Sequence, residues 1–171
     1  MTTSPTSSSL RDYQRTLSAR LVNPDAARSA SKLGVQVGST RWLVDLADTA
    51  EVIPAPALAP VPLTRNWFLG VTSVRGNLYS VVDFRGFTEG IATVPGDQSR
   101  LLLLADKYRI FSGLLVDRIL GLYRDDQLQP AGGDDVSPWA NARVIDERSQ
   151  PWLHLGVGRL IAHPDFLQVG A

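Results

Sequence analysis

Hydrophobic and polar residues alternate with a period of two along much of the chain after residue 32, and this pattern predicts β-strands. The clearest case is a pair of β-prone runs, residues 68–74 and 78–82, that flank Arg75-Gly76-Asn77. The pattern predicts a hairpin whose tight turn carries one arginine in an otherwise uncharged segment. Asp83 follows the second run, and its carboxylate is expected to cap a short helical turn.

Similar runs predict further short strands between stretches rich in glycine and proline. Residues 101–104 are all leucine, so at least one strand is expected to be buried on both faces. The sequence PAPALAPVP at 54–62 predicts a stiff, extended connection, and two exposed loops are expected at 88–99 and 124–138. Turns recur about every 8–12 residues, which favours an all-β barrel or sandwich with minor helices. The further strands are predicted at 33–37, 42–46, 50–53, 101–104, 108–116, 117–122, 142–145 and 152–155.

The first 32 residues have a different pattern. Residues 1–9 are rich in serine and threonine and predict a disordered leader. The next segment, 10–32, predicts an amphipathic helix and a linker, because large apolar residues recur at spacings of three and four before Pro24. Such a helix packs on its own domain or binds a partner, and the pattern does not distinguish the two. These apolar positions are Leu10, Tyr13, Leu17 and Leu21.

Composition narrows the class of protein. The chain has 171 residues, of which 44% are hydrophobic, enough for one domain or two small joined units. Seventeen basic and 17 acidic residues give a formal net charge of zero, so no overall field attracts nucleic acid or anionic membrane. Cysteine is absent, and no leader peptide or membrane span is evident. A soluble, cytoplasmic protein with no direct membrane insertion is expected.

Candidate catalytic chemistry is sparse. The two histidines, His154 and His163, have no partner at metal-ligand spacing and are interpreted as structural. Two pairs of adjacent acids, Asp125-Asp126 and Asp134-Asp135, lie in polar loops where they serve solvation or turn formation. Neither a phosphate-binding loop nor a nucleophile with a base at recognisable spacing is present. We therefore predict no catalytic residue, no cofactor and no metal, and an enzyme is the least favoured class.

The sequence GVTSVRG at 70–76, followed by VVDF at 81–84, resembles the signature of CheW-like coupling domains, which are non-enzymatic adaptors. Ser73, Val74 and Ser80 stand where the family usually has Asn, Leu and Pro. The sequences GNLY at 76–79 and HPDFLQV at 163–169 resemble the PilI branch, the adaptors of the twitching-motility system of type IV pili. The resemblance implies two small five-stranded SH3-like barrels side by side within a CheW-like domain at 33–167.

The resemblance also implies a receptor-binding groove. Physics alone leaves Arg75 open, because a turn arginine either makes forked hydrogen bonds to a partner or is simply solvated. In CheW-like adaptors this arginine lies where the receptor tip docks. VDLADTAEVI at 44–53 and GLLVD at 113–117 resemble two other segments of that surface, although Val116 is equally explained as a core residue. The resemblance assigns the groove to Arg75, Gly76, Val74, Gly70, Glu51 and Val116.

These resemblances imply an adaptor that couples the cytoplasmic tips of methyl-accepting chemoreceptors to the regulatory domain of a CheA-type histidine kinase. The PilI-like matches favour a system for pilus-driven twitching over a flagellar chemotaxis CheW. The protein is then expected in the cytoplasm, recruited to membrane-associated receptor arrays. The residues that contact the kinase are not specified by the sequence.

A barrel that binds single-stranded nucleic acid is the alternative from another class, because four aromatic residues lie among three arginines. Strand alternation weakens this hypothesis by placing Phe68 and Phe84 on one face and Trp67 and Tyr79 on the other. A net charge of zero also supplies no electrostatic funnel. The arginines concerned are Arg65, Arg75 and Arg85.

Overall fold

The structure, a computed structural model, describes residues 31–133 and 137–171. The expected leader and most of the expected N-terminal helix and linker, residues 1–30, therefore lie outside the described residues. Most described elements are strands, as the alternating pattern predicts. They are β1 Lys32–Val37, β2 Thr40–Asp45, β3 Thr49–Pro54, β4 Phe68–Val74, β5 Asn77–Asp83, β6 Arg100–Leu104, β7 Ser112–Val116, β8 Arg118–Tyr123, β9 Leu128–Pro130, β10 Ala140–Asp146 and β11 Pro151–Leu155.

Helices in this part of the chain are short. They are α1 Phe84–Glu89, α2 Val157–Ala162 and α3 Pro164–Leu167, with single 3₁₀ turns at Leu46–Asp48, Asp106–Tyr108 and Asp125–Gln127. No helix among the described residues is long and apolar enough to span a membrane.

The strands form two sheets, and the chain enters the second sheet before it completes the first. One sheet has six strands in the order β8-β1-β2-β11-β10-β9, and the other has five in the order β3-β6-β7-β5-β4. The expectation of five strands in each unit is therefore wrong for the first sheet. Its additional strand, β9, lies inside the predicted loop 124–138, where one leucine among polar residues shows no alternation. Pairing with β10, the next strand along the chain, creates it.

A second boundary also differs from the sequence-based expectation. The predicted strand 108–116 begins only at Ser112, because Asp106–Tyr108 forms a 3₁₀ turn. The hydroxyl of Tyr108 donates to Asp48 Oδ1 at 2.7 Å, and this contact spans 60 residues. Burial and this hydrogen bond raise the pKa of Tyr108. A distant polar partner thus overrides the local β preference of the segment.

The six-stranded sheet is curled. Its two edges, β8 and β9, are connected only by residues 124–127. A flat sheet of this size is about 24 Å wide at about 4.8 Å per strand spacing, whereas this connection reaches about 18 Å when fully extended. The two edges must therefore approach each other.

One hydrophobic core joins the two sheets. Side chains from both meet there, including Trp42 and Val35 of the six-stranded sheet and Leu102 and Leu114 of the five-stranded sheet, each at most 2% exposed. Helix α2 closes this core with Val157 and Leu160. Alternation along β6 and β7 sends every second residue into it.

A smaller core lies on the other face of the five-stranded sheet. Its buried members are Tyr79, Val81, Leu101, Leu103 and Leu115. Leu101–Leu104 thus supplies both cores alternately, and β7 is buried along its whole length. The prediction that a central strand is buried on both faces is confirmed.

Candidate protein-binding site

The turn between β4 and β5 is as short as a hairpin allows. Val74 pairs with Asn77, so only Arg75 and Gly76 form the turn, and their φ angles are positive, at 51° and 84°. A two-residue turn with this backbone follows the twist of the flanking strands. Glycine adopts it without steric cost, whereas arginine is uncommon there. The prediction of a hairpin tipped by Arg75 is confirmed.

Arg75 meets Glu51 across the sheet. Its Nη2 atom donates to Glu51 Oε1 at 2.7 Å, although the residues are 24 positions apart. Glu51 lies on β3 and Arg75 follows β4, the two edge strands of the five-stranded sheet. This sheet is therefore curled as well, so that its two edge strands come close enough for an ion pair to form between them. Two residues that the resemblance assigns to one surface are thus brought together.

This ion pair is open to solvent. The side chain of Arg75 is 76% exposed and that of Glu51 is 30% exposed. An ion pair in such surroundings contributes at most about 1 kcal/mol to stability. Its main physical effect is to orient the guanidinium and to cancel its charge.

Apolar side chains lie at the same end of the sheet. Strands β3, β5 and β7 run in the same direction. Arg75 and Phe111 lie just before β5 and β7 begin, and Glu51 is the third residue of β3. The ring of Tyr79, 7% exposed, meets the 53% exposed ring of Phe111 edge to face, with centroids 5.3 Å apart. Val74 packs against the smaller core beside Tyr79. We call this surface, formed by Glu51, Val74, Arg75, Tyr79 and Phe111, the hairpin end.

Gly70 has a structural requirement of its own. Its φ angle is 129°, and a Cβ atom placed on it would lie 2.3 Å from the carbonyl oxygen of Ala59. Ala59 and Val71 exchange backbone hydrogen bonds of 2.8 and 2.9 Å. The proline-rich segment thereby covers the free edge of β4, and only glycine admits this approach. That Gly70 also lines a receptor groove stays a prediction.

Val116 lies inside the protein. Its side chain is 1% exposed and belongs to the core shared by the two sheets. The structure therefore shows the core role that was the alternative for this residue. Contact between Val116 and a partner is not available in this conformation, and its strand can only support the groove from within.

Asp83 holds the opposite end of β5. It is 1% exposed, and its Oδ1 atom accepts a hydrogen bond from the backbone N–H of Gly86 at 3.0 Å, which confirms the predicted cap of α1. The carboxylate also accepts the backbone N–H and the hydroxyl of Thr93, both at 2.7 Å. Thr93 is itself buried, so the expectation of a wholly exposed loop at 88–99 is wrong at this residue. Nothing in the local sequence predicts this clamp.

His154 takes part in a polar cluster of the six-stranded sheet. Asp45 Oδ1 lies 2.8 Å from Lys32 Nζ and 3.1 Å from His154 Nε2, and Lys32 also pairs with Asp125 at 2.9 Å. Burial by itself would raise the pKa of Asp45, but the Lys32 hydrogen bond and the nearby charges lower it below its ordinary value. The cluster joins β1, β2 and β11, in agreement with a structural role for His154.

The other histidine and the first acid pair also have partners. The Nδ1 atom of His163 accepts the backbone N–H of Asp165 at 3.3 Å, and the ring meets that of Trp139. Asp126 pairs with Arg124 at 2.8 Å. Asp134-Asp135 lies outside the described residues. Within residues 31–133 and 137–171, no group of three or more His, Cys, Asp or Glu side chains is placed to hold a metal ion.

The aromatic residues of the nucleic-acid hypothesis are not arranged as stacking platforms. Phe84 is 1% exposed and Tyr79 is 7% exposed. Trp67 packs against Phe87 and Phe166, with ring centroids 5.1 and 6.3 Å apart. Base stacking requires open ring faces. The geometry therefore favours a protein-binding surface.

Comparison with known proteins agrees with this geometry. The profile of the CheW-like domain matches residues 32–165. The chain belongs to the CheW-like domain family. Domains of this family are non-enzymatic scaffolds in chemosensory signalling, so the predictions of family and of an absence of enzymatic activity are confirmed.

Two known proteins are similar to this chain in sequence. Protein PilI of Pseudomonas aeruginosa is 29% identical over 151 residues, which cover 85% of this chain and 83% of PilI. Protein FrzA of Myxococcus xanthus is 34% identical over 105 residues, which cover 58% of this chain and 64% of FrzA. The similarity to PilI thus extends over nearly the whole of both proteins.

The fold is also that of a CheW-like protein. The crystal structure of the scaffolding protein TtCheW from Thermoanaerobacter tengcongensis superposes with a TM-score of 0.61 at 15% identity. The match covers 74% of this chain and 88% of TtCheW. At this identity the likeness concerns the fold, and the expectation of a CheW-like, mostly β architecture is confirmed.

Proposed function

We propose that this protein is a non-enzymatic adaptor that couples methyl-accepting chemoreceptors to a CheA-type histidine kinase in the system that controls type IV pilus twitching. The observation that carries the proposal is the Arg75-Gly76 turn held against Glu51. The signature arginine of a CheW-like domain is here fixed at an exposed end of the sheet. It is thus available to another protein.

The mechanism is positional. The hairpin end receives the tip of a receptor helical hairpin, while other exposed strands pair with the like-folded regulatory domain of the kinase. A change in receptor packing then reaches the kinase through altered contacts, with no reaction in the adaptor. Each affinity is modest, because one small protein serves two partners and the array adds avidity. The protein is recruited from the cytoplasm to receptor arrays at the membrane.

Assignment to a pilus system rests on the PilI branch. The chain is similar to PilI over 85% of its length. It also carries the two PilI-like sequences, at 76–79 and 163–169. The structure gives the second sequence a defined place, because Phe166 is buried and Arg65 bonds backbone atoms of Gln168 and Val169. A flagellar CheW is the alternative within the same family.

The proposal is tested by affinity capture from the lysate of a bacterium that moves by type IV pili. Wild-type protein and the Arg75→Ala variant are immobilised, and retained proteins are identified by mass spectrometry. A matched control is Arg124→Ala, which removes another exposed arginine paired with an acid, far along the chain from the hairpin. We expect the kinase on all three proteins and receptors on wild type and Arg124→Ala only. Capture of neither partner by wild type would refute the proposal.

A further inference from the structure

In the part of the chain that the structure describes, the backbone passes between the two sheets at two points. The first crossing is the 3₁₀ turn Leu46–Asp48, which leads from β2 to β3. The second is Asp117, which lies between β7 and β8. Its Oδ2 atom accepts the backbone N–H of Gly38, in the turn between β1 and β2, at 2.6 Å. The second crossing is thus tied to a turn of the six-stranded sheet.

The first crossing is tied to the five-stranded sheet through Asp48. This residue is 8% exposed, and its Oδ1 atom accepts the hydroxyl of Tyr108 at 2.7 Å and lies 2.5 Å from Lys107 Nζ. Its carbonyl accepts the backbone N–H of Ala105 at 2.9 Å. All three partners lie in the connection between β6 and β7. Side-chain and backbone contacts therefore fasten the crossing to this connection.

Tyr108 also lies beside a helix that follows the six-stranded sheet. Its ring packs against the core shared by the two sheets. A Cβ atom placed on Gly158 of α2 would lie 4.0 Å from Cε1 of this ring. Helix α2 follows β11, a strand of the six-stranded sheet. One side chain is therefore bonded to the crossing and packed where the two sheets meet.

Directional contacts fix how the two sheets are rotated relative to each other. Apolar packing in the shared core holds the sheets together, but it is non-directional and permits small sliding movements. A hydrogen bond depends on both distance and angle. The side chain of Lys107 is 51% exposed, so water readily replaces its contact. Asp48 is buried, so the loss of the Tyr108 hydroxyl is not readily made good by water.

We infer that Tyr108 is a positioning residue, which through Asp48 fixes the orientation of the hairpin end relative to the six-stranded sheet. Glu51 follows Asp48 by three residues, and Phe111 follows Tyr108 by three residues. At most about 10 Å of chain separates each pair, so a shift at the first crossing reaches the hairpin end directly. Without the hydroxyl, the tie at Asp117 remains as a pivot between the sheets.

The consequence for signalling rests on the proposed function. With a fixed orientation, a receptor bound at the hairpin end moves both sheets as one body. A loose first crossing lets the six-stranded sheet lag behind. The response of the kinase then falls while each partner stays bound, because the contacts that bind the partners are unchanged.

The first test measures a distance between the sheets in the full-length protein alone. Because the chain has no cysteine, Ser73→Cys on β4 and Glu147→Cys between β10 and β11 provide a unique pair of exposed spin-label sites. Pulsed electron paramagnetic resonance should give one narrow distance distribution, which Tyr108→Phe broadens by about twofold or more. The matched control, Tyr123→Phe, should leave it unchanged, because this ring meets Trp152 within the six-stranded sheet.

The second test asks whether Tyr108 acts through Asp48. Asp48→Ala removes the acceptor, so Tyr108→Phe should broaden the distribution no further in that background. Lys107→Gln removes the exposed cation and keeps the hydroxyl bond, so it should leave the distribution unchanged. Circular dichroism checks that every variant is folded at the temperature from which the samples are frozen. A purely structural role would lower the unfolding midpoint without broadening the distribution.

The third test measures control of the kinase at saturating concentrations of receptor cytoplasmic fragment. We expect Tyr108→Phe to bind the fragment and the kinase within about twofold of wild type, since neither contact is altered. The receptor-dependent change in kinase autophosphorylation should fall by about threefold or more. Tyr123→Phe should keep the full response.

The outcomes separate this inference from the proposed function. An unchanged distance distribution in Tyr108→Phe would overturn the inference, as would further broadening by Tyr108→Phe in the Asp48→Ala protein. A full receptor response with Tyr108→Phe would also overturn it. If wild-type protein gives no receptor response, the proposed function fails, whereas the distance measurement still decides whether Tyr108 fixes the orientation of the sheets.

Discussion

The two ends of β5 are both built around carboxylates, but they serve different purposes. At the turn, Glu51 pairs with an arginine that is 76% exposed. At the other end, Asp83 is 1% exposed and accepts three hydrogen bonds from Gly86 and Thr93. Water replaces a lost partner at the first end and cannot at the second. Under the proposed function, the exposed end serves recognition and the buried end serves stability, so variants at each end should affect different measurements.

The largest effect on stability is expected at the buried end. Asp83→Ala leaves the N–H groups of Gly86 and Thr93 and the Thr93 hydroxyl without their acceptor. We expect a loss of about 3 kcal/mol or more in the free energy of unfolding, measured by urea denaturation. Asp97→Ala is the control, because Asp97 is an exposed acid in the loop that contains Thr93. It should change the unfolding free energy by less than about 0.5 kcal/mol. If both variants lost the same unfolding free energy, the hydrogen bonds of Asp83 would not stabilise the fold.

The next largest effect is expected at Gly70, where the proline-rich segment meets the hairpin. A Cβ atom there meets the Ala59 carbonyl oxygen at 2.3 Å, and the φ angle of 129° strains any other residue. Gly70→Ala should cost about 2–3 kcal/mol in unfolding free energy. Gly96→Ala is the matched control, because a Cβ atom at Gly96 meets nothing within 4 Å. A Gly70→Ala protein as stable as this control would show that the segment moves aside freely.

A smaller effect is expected from the polar cluster of the six-stranded sheet, and it depends on pH. The pKa of Asp45 is lowered from its ordinary 3.8, so the folded state binds this proton less tightly than the unfolded state. The stabilisation is complete above the ordinary value and is lost as pH falls through the lower pKa of the folded state.

Lys32→Gln weakens the cause of this shift, because it removes one hydrogen bond and one charge from Asp45. We expect a loss of about 1 kcal/mol at neutral pH that shrinks as the pH falls below about 4. Urea denaturation between about pH 7 and pH 3 measures it. Arg124→Gln breaks a more exposed ion pair and should not change how the unfolding free energy falls with pH. If the unfolding free energies of Lys32→Gln and wild type fell in parallel with pH, the lowered pKa of Asp45 would not depend on Lys32.

The smallest effect on stability is expected at the exposed end. Arg75→Ala removes an ion pair that is open to water, so the unfolding free energy should fall by less than about 1 kcal/mol. Thermal unfolding followed by circular dichroism checks this. A loss as large as that of Asp83→Ala would mean that Arg75 closes the sheet instead of serving recognition.

Local elements of the fold were predictable from the sequence. The β4–β5 hairpin, the β1–β2 hairpin and the Asp83 cap depend on residues close in the chain, and the structure has all three. The sequence pattern predicts neither strand β9 nor the late start of β7, because partners outside each segment determine them. The first depends on pairing with β10, and the second on a hydrogen bond from Tyr108 to Asp48.

The site was predictable only in part. Arg75 stands out in its turn, but its pairing with Glu51 is not predicted. The family resemblance only assigns both residues to one surface, since no local pattern connects residues 24 positions apart. Phe111 carried no signature, because its exposure depends on where the curled sheet ends. Val116 shows the opposite case, a residue within a matching segment whose side chain is buried.

The most direct test of the central claim is reconstituted kinase control. Autophosphorylation of the CheA-type kinase is measured with receptor cytoplasmic fragments and wild-type protein, the Arg75→Ala variant or the Arg124→Ala control. We predict that receptors change kinase activity with wild type and Arg124→Ala, and that Arg75→Ala abolishes this response while still binding the kinase. Full receptor control by Arg75→Ala, or none by wild type, would contradict it.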